Sequence, residues 1–242
     1  MDLDLDIDIE YSHSVEIGDL KHSHELAFYY SKSMGYNVQA YHYSPNQFDE
    51  FIKGDIGFHF SRDSKIAYLR KDDIDEEGGQ VFNVALKLKK PFNIKYDLQQ
   101  WTAFEFFVNA VNNELGVNVY QHEDYSYRTQ LAIGRKCMKF LTSIGYKVDE
   151  ILEIASEFVK TENTLYNPID KKYRDDIISH MNASGYDGLT YINKFEVDED
   201  TDGLCYIVIH PNQIKSLDPQ YDGDVLIPLT KRFNQSDNRF TR

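Results

Sequence analysis

Three short segments, far apart in the chain, carry the side chains with the clearest chemical capacity. The first is Tyr41-His42-Tyr43-Ser44, at the end of a predicted strand. The second is Gly57-Phe58-His59-Phe60-Ser61, which precedes a predicted short helix. The third extends from Gly185 to Ser216 and contains GYDG and PNQIKS. Imidazole and hydroxyl groups at strand ends can hold a ligand by hydrogen bonds. Such residues are also commonly packed structural residues, and each segment alone admits both interpretations.

The other motifs and residue pairs give only weak evidence for a catalytic or metal site. The chain lacks GxGxxG, GxxxxGK[ST] and HExxH. His22 and His24 lie two apart on a predicted helix, where they point in different directions, and neither has a partner at zinc spacing. Cys137 and Cys205 lack neighbouring groups that would lower a thiol pKa. We therefore expect no metal site, no disulfide scaffold and no catalytic thiol.

The surrounding pattern predicts an α+β protein, because strands come first, helices follow and strands return. The first ten residues alternate acids with Leu or Ile, which predicts an edge strand or a partly ordered arm. Asp19 is expected to cap a helix that ends at Gly35, and Ser61 to cap a short helix over 61–69. Further strands are predicted at 38–43, 56–60, 82–88, 188–192, 204–209 and 213–217. Further helices are predicted at 101–115, 131–144, 149–159 (capped by Asp149) and from Pro168 to about 185.

Composition limits the partners. The 242 residues have a formal net charge of −14, and 14% of them are aromatic. Aromatic richness indicates a folded chain, and the acidity disfavours a general role in binding phosphate backbones. The basic tail (Lys231, Arg232, Arg239 and Arg242) is too sparse to change that expectation. No apolar run is long enough to span a membrane, and the acidic start is unlike a signal peptide. We expect a cytoplasmic protein, in the host cytoplasm if it is phage-encoded.

Taken together and in this order, the three segments resemble the ADP-ribosyltransferase superfamily. The resemblance is nearest to the H-Y-E-like bacterial and phage branch found in large polyvalent proteins. Members of that branch carry Y-H-G-[TS], then G-x-[YH]-F-[ST] before a helix, and finally G-Y-D-G and E-Y-V-V-F-x-P-x-Q-I-K-S. The last motif reads here from Cys205 to Ser216 as CYIVIHPNQIKS. The resemblance covers about residues 38–94 and 185–217, and P-x-Q-I-K-S is its most specific part.

The resemblance implies NAD as cosubstrate and a role for each motif. It implies that His42 holds the ribose, that His59 stands beside the nicotinamide and that Ser61 reaches the ribose. The remaining residues expected to contact NAD are Tyr41, Ser44, Gly57, Phe58 and Phe60. Cleavage of NAD develops oxocarbenium-like charge at the ribose carbon, and a nearby carboxylate stabilises such charge.

The sequence departs from the family at that carboxylate. The Glu that usually opens the E-Y-V-V-F strand is replaced by Cys205, and the Gly that usually follows the first-motif His is replaced by Tyr43. Either Asp200 or Asp202, in the acidic loop just upstream, supplies the acid, or catalysis has been lost.

These observations lead to two functional hypotheses. The first is a toxin-like glycosyltransferase that moves ADP-ribose from NAD to a host macromolecule, with a protein acceptor favoured over nucleic acid. The second is a catalytically degenerate protein of the same fold with a structural or interaction role. The expected fold is a mixed or antiparallel ADP-ribosyltransferase-like sheet with a central helical insert. The expected divisions are an acidic arm and helix (1–35), the first part of the domain (36–96), the insert (97–184), the returning strands (185–230) and the basic tail (231–242).

Overall fold

The protein is described by a computed structural model that covers residues 3–44, 56–68, 79–98, 101–112, 126–160, 168–194 and 201–234. Helices and strands alternate in blocks, and neighbouring strands pair both antiparallel and parallel, so the expected α+β class is confirmed. The elements in chain order are α1 (Leu3–Glu16), α2 (Leu20–Ser33), β1 (Val38–Ser44), β2 (Phe58–Ser61), α3 (64–68), β3 (Gln80–Leu86), β4 (Pro91–Asn93), α4 (Ala103–Val111), α5 (Tyr127–Ser143), α6 (Val148–Lys160), α7 (Pro168–Ala183), β5 (Gly188–Ile192), β6 (Leu204–Val208), β7 (Ile214–Ser216), β8 (Tyr221–Asp222), β9 (Val225–Leu226) and α8 (Leu229–Asn234).

The chain forms two compact units. One unit comprises Met1–Ile52, Phe58–Leu88 and Asn193–Arg242, and the other comprises Lys53–Gly57 and Lys89–Ile192. In the first unit, β6, β2, β1, β3 and β7 lie side by side in that order, and each neighbouring pair is antiparallel. This sheet carries the first chemical segment, residues 58–61 of the second, and β6 and β7 of the third.

The sheet of the first unit has two different faces, because successive side chains of a strand point to opposite sides. The core face carries the apolar cluster of Ala40, Phe58, Phe60, Val84 and Val208. The helix face carries the side chains that alternate with these along each strand: Tyr41, His59, Ser61, Asn83 and Ala85. Part of the helix face is covered, since Ala85 packs with residues of α1, α2 and α8.

That helical cover explains why β3 is buried on both faces. The alternation of Phe82, Val84 and Leu86 with polar residues predicts a half-buried strand. In the structure Asn83 and Ala85 are buried as well, since the helices lie over the face that the pattern leaves to solvent. The expectation of a solvated face was wrong because a period-two pattern does not report what packs on the polar side.

The predicted N-terminal strand or arm is instead the helix α1. Apolar residues at every second position also contain a series with a spacing of four, here Ile7, Tyr11 and Val15. On a helix such a series forms one face. Tyr11 is fully buried, and Ile7 and Val15 pack against the same cluster. Tertiary packing of that face outweighs the strand-like alternation.

In the described part of the second unit there are four helices and the parallel pair β4 and β5. The spacing of Trp101, Phe104 and Phe107 predicts that their side chains face inward, and the structure agrees. Trp101 and Phe107 are buried, and the half-buried Phe104 ring lies 5.7 Å from the Phe158 ring. Helix α4 ends at Val111, and the rest of its predicted length, including residues 113–115, lies outside the described residues.

Helix starts agree with the sequence in two places and differ in two. The Asp19 side chain accepts a hydrogen bond from the backbone of α2, and α7 begins at Pro168, as expected. Asp63, rather than Ser61, caps α3, because Ser61 still belongs to β2 and the Asp63 carboxylate accepts from Lys65 N–H. Helix α6 begins at Val148, one residue before the expected cap Asp149.

Candidate functional site

The sheet of the first unit places the strands of the first two chemical segments beside β6 of the third, whereas PNQIKS leads into β7 at the other edge and GYDG lies in the second unit. Tyr41 of β1 lies opposite Ser61 of β2, and Ser61 lies opposite Cys205 of β6. Residues separated by more than 140 positions in the sequence are therefore on adjacent strands. This is the arrangement expected if these three strands formed one site.

His42 is held by the backbone of His59. The Nδ1 atom of His42 lies 2.8 Å from the carbonyl oxygen of His59. A carbonyl oxygen can only accept, so Nδ1 must be the protonated nitrogen, and the acceptor lone pair of the neutral ring is on Nε2. The strand pairing thereby fixes both the orientation and the tautomer of the His42 imidazole.

The two histidine side chains nevertheless point to opposite faces of the sheet. The His42 ring lies beside the Phe60 ring, with a centroid separation of 5.6 Å, on the core face. His59 lies between Phe58 and Phe60 in β2, so its side chain projects from the helix face. Both residues are partly exposed, and both lie at the same end of the β1 and β2 pair.

The other residues expected to contact NAD are spread between the core, the backbone and the second unit. Phe58 and Phe60 are 4% and 2% exposed and belong to the core cluster, where their rings are not presented to a ligand. The Ser61 hydroxyl donates to backbone, at 2.9 Å from the Asp63 carbonyl oxygen. Ser44 lies opposite Gln80 at the end of β1. Gly57 is buried and belongs to the second unit.

Asp202 is bound on both of its carboxylate oxygens. One oxygen accepts from the backbone N–H of Leu204 at 3.0 Å, and the other accepts from Arg62 at 2.8 Å. About half of each side chain of this ion pair is exposed. The carboxylate therefore fixes the start of β6, and the ion pair with Arg62 offsets part of the negative charge that the missing acid would supply. Asp200 lies outside the described residues.

Two positions differ chemically from the family pattern, and both are buried. Cys205 is 3% exposed and opposes Ser61, so no carboxylate is present at that point of β6. Tyr43 is 6% exposed on the helix face. Its hydroxyl lies so close to Gly79 that a Cβ atom there would come within 2.3 Å of it. The Tyr43 ring thus occupies space that a glycine would leave open.

A polar row crosses the helix face of the sheet. Cys205, Ser61, Tyr41 and Asn83 lie opposite one another on four neighbouring strands, β6, β2, β1 and β3. A Gln39 side chain donates to the Asn83 side-chain oxygen at 3.1 Å. Cys205, Ser61 and Asn83 are buried, and buried polar side chains side by side on a sheet form hydrogen-bonded networks.

Beyond Asn83 the row continues into an Asp–His pair. One Asp218 oxygen accepts from the backbone N–H of Asn83 at 3.1 Å, and the other lies 3.1 Å from Nε2 of His24 on α2. Sequence reasoning did not identify Asn83, Asp218 or His24 as members of one cluster. The only signal was a polar residue within an apolar strand, at Asn83, because the partners come from distant elements.

Tyr41 lies at the middle of the polar row. Burial raises the pKa of its phenol above the usual value, and the negative charges of Asp63 and Asp218 raise it further. The phenol is therefore protonated at neutral pH and can donate a hydrogen bond. A neutral donor between two acids suits a ligand hydroxyl or carbonyl group.

The remaining sequence expectations concern thiols, metals and membranes. Neither Cys137 nor Cys205 forms a disulfide, and both are buried. Burial raises the pKa of the Cys137 thiol, with Glu105 adding to the effect. Among the described residues, no group of three His, Cys, Asp or Glu side chains is placed to hold a metal ion. No helix in the described part of the chain has both the length and the apolar character needed to cross a membrane.

Comparison with family models, with curated proteins and with solved structures found no match. Any function must therefore be argued from the geometry of this chain and from the motifs in its sequence.

Proposed function

We propose that this protein is an ADP-ribosyltransferase-like protein that binds NAD at the β1 and β2 strand end and transfers ADP-ribose to a protein acceptor of the host cell. The observation that carries the proposal is the hydrogen bond from His42 to the His59 carbonyl. It fixes the orientation and tautomer of the His42 imidazole, and it joins the two motifs that the resemblance assigns to one ligand. The ADP-ribosyltransferase fold and the NAD site are parts of the same proposal.

The two histidines reach one ligand only at the strand end. Their side chains lie on opposite faces, but His42 is two residues before the end of β1 and His59 is one residue after the start of β2. Antiparallel pairing places those two ends together. A ligand that bends around this end can place its ribose near His42 and its nicotinamide near His59.

The transfer is a substitution at the ribose carbon C1′. A nucleophilic atom of the acceptor forms a bond to C1′, and the bond from C1′ to the nicotinamide nitrogen breaks. The electron pair of that bond neutralises the pyridinium ring, so nicotinamide leaves as a neutral molecule. The acceptor loses its proton to solvent or to a nearby base. An enzyme contributes mainly by holding the ribose and by stabilising positive charge at C1′.

A second candidate function is a catalytically degenerate member of the same fold with a structural or interaction role. Burial of Cys205 at the position of the family's Glu favours it, and so does the Tyr43 ring beside Gly79. A thiol offers neither the charge nor the two acceptor oxygens of a carboxylate, and Asp202 is already bound on both oxygens.

The test begins with binding and then measures chemistry. Calorimetry with NAD gives affinity, and released nicotinamide together with labelled ADP-ribose on host-lysate proteins gives turnover. We expect His42→Ala to weaken NAD binding about tenfold, the loss that corresponds to one hydrogen bond worth about 1.4 kcal/mol. His22→Ala is the matched control, because His22 lies on α2 with its side chain 41% exposed.

The outcomes separate the two candidates. Binding with turnover, both reduced in His42→Ala, supports the transferase. Binding without turnover supports the degenerate protein, and Cys205→Glu then tests whether the acid alone is missing, after circular dichroism has shown that the variant folds. An NAD titration to millimolar concentration with no heat and no nicotinamide release would refute the transferase and leave the structural or interaction role.

A further inference from the structure

Four exposed apolar side chains lie on α1, in the turn after it and at the first residue of α2. Leu5 and Ile9 are each 60% exposed, Ile17 is 63% exposed and Leu20 is 52% exposed. Within the described part of the chain, ten large apolar side chains are exposed, and these four lie within sixteen consecutive residues. Single exposed apolar residues are normal on protein surfaces, but a cluster usually marks an interaction site.

We name this group of four residues the outer stripe, and none of them lies on the buried side of α1. The buried side contains Tyr11 and Ser14, with Ile7 and Val15 packed beside them. Leu5 and Ile9 are two positions from Ile7, so they lie on the other side of α1. Ile17 lies in the turn after α1, and Leu20 is the first residue of α2. At 1.5 Å per residue, the length of α1 from Leu5 to Glu16 is about 17 Å, or about three helical turns.

Acidic side chains border the outer stripe. Asp6, Glu10 and Glu16 are exposed on α1, and α1 contains no Lys or Arg. Glu10 is partly balanced by His22, whose Nε2 lies 2.9 Å from it. The stripe therefore combines apolar contact area with a negative border.

We propose that the outer stripe is the docking surface for a cationic amphipathic helix of a protein partner. Three turns of such a helix match the length of α1 from Leu5 to Glu16, its apolar face covers Leu5 and Ile9, and its Lys or Arg residues meet Asp6 and Glu16. The negative charge of α1 disfavours three other possible occupants, which are a second copy of the chain, anionic lipid and nucleic acid. A second copy would bring two acidic borders together, and anionic lipid or nucleic acid would be repelled. The inference is independent of NAD.

The probe is a fluorescent 14-residue helical peptide of Lys and Leu with an apolar stripe along one face, measured by anisotropy. The full chain is compared with the double variant Leu5→Gln, Ile9→Gln, which keeps good helix-forming residues in α1. The matched control is Tyr29→Gln, because Tyr29 is 72% exposed on α2 but lies outside the outer stripe. We expect at least a tenfold loss of affinity in the double variant and no loss in the control.

A second pair of measurements tests the charge and the position of the site. Affinity should fall as salt rises, and Asp6→Asn with Glu16→Gln should weaken binding and reduce that salt dependence. An amphipathic peptide with Glu in place of Lys should not bind. Circular dichroism of each variant confirms that α1 is retained.

Three results would overturn the proposal. Equal affinity of the parent and the double variant would mean that the peptide responds only to the overall negative charge. Sedimentation showing a dimer that the double variant abolishes would make a second copy the occupant. Peptide binding only to a protein shortened to end at Asn234 would make the C-terminal residues 235–242 the occupant.

Discussion

A backbone carbonyl, rather than an acid, orients the His42 imidazole. The His59 carbonyl accepts from Nδ1 at 2.8 Å, so the ring has a defined orientation and tautomer. This arrangement suits a group that holds a hydroxyl in place better than one that drives proton transfer. In the proposed site, His42 is therefore a binding residue.

Substitution of Phe107 tests how the aromatic side chains pack in the core of the second unit. Its ring is fully buried and lies 5.2 Å from the Tyr146 ring and 5.7 Å from the Tyr173 ring. Phe107→Ala removes these contacts and leaves a cavity, so the free energy of unfolding should fall by about 3–5 kcal/mol. Chemical denaturation measures the change. The control Tyr29→Ala, at an exposed position, should change it by less than about 0.5 kcal/mol. Equal small effects of both variants would contradict the packing described for α4.

The resemblance placed His42 and His59 at one ligand site. Their strands, β1 and β2, do pair, but the two side chains project from opposite faces of the sheet. The Asn83, Asp218 and His24 cluster could not be predicted, because its members come from β3, a loop after β7, and α2. No local pattern encodes contacts among three elements.

At the scale of elements, the short helix α8 is held by a buried arginine. Arg232 is 6% exposed, and its guanidinium donates to the Tyr11 hydroxyl and to the carbonyl oxygens of Ser216 and Asp218. Burial lowers the pKa of this group, and the nearby Tyr11 and Asp218 oppose the effect. A helix of six residues has little stability of its own, so these bonds anchor α8 to α1 and to the end of β7.

Arg232→Lys should therefore loosen α8. The ammonium group of lysine lacks the planar fork that reaches three acceptors at once, so at least two hydrogen bonds are lost. The free energy of unfolding should fall by about 2–4 kcal/mol. The adjacent exposed residue gives the control, Lys231→Ala, which should be close to neutral. Unchanged stability in Arg232→Lys would mean that the guanidinium bonds are not what anchors the helix.

Elements were predicted well where local signals and packing agreed. Helix α7 begins at Pro168, and β5 has the predicted bounds. Prediction failed for α1 and for the second face of β3, and in both cases the cause was the same contact. Residues of α1, α2 and α8 pack together over Ala85. The sequence shows the pattern of each element but not which elements meet.

At the scale of the whole molecule, the two compact units are each built from separated stretches of chain. The first unit joins residues near both termini, and Ser61 of β2 pairs with Cys205 of β6 across more than 140 positions. The order of strands, helices and strands was visible in the sequence. The pairing of β2 with β6 was not, because strand partners depend on long-range packing rather than on local spacing.

Buried tyrosines in both units predict a loss of stability at alkaline pH. Burial raises the pKa of Tyr146, Tyr11 and Tyr41 above the ordinary value of 10.0. Between that value and the higher folded pKa, the folded state binds more protons than the unfolded state, so stability falls as pH rises. Below about pH 10 these groups contribute no pH dependence.

A substitution at Tyr146 measures one tyrosine's share of this loss of stability at alkaline pH. Its side chain is 6% exposed and donates a hydrogen bond to Asp176. Its ionisation alone should contribute a slope of up to about 1.4 kcal/mol per pH unit above pH 10. Tyr146→Phe should therefore lose stability less steeply than the parent between about pH 9.5 and 11, even though its stability at neutral pH is lower.

Tyr127→Phe is the control, since Tyr127 is 68% exposed, and its slope should equal that of the parent. Denaturation midpoints at each pH, with phenolate absorbance recorded in parallel, give both slopes. Parallel curves for the parent and Tyr146→Phe would show that the Tyr146 phenol ionises as readily in the folded protein as in the unfolded chain, which its burial against Asp176 should prevent.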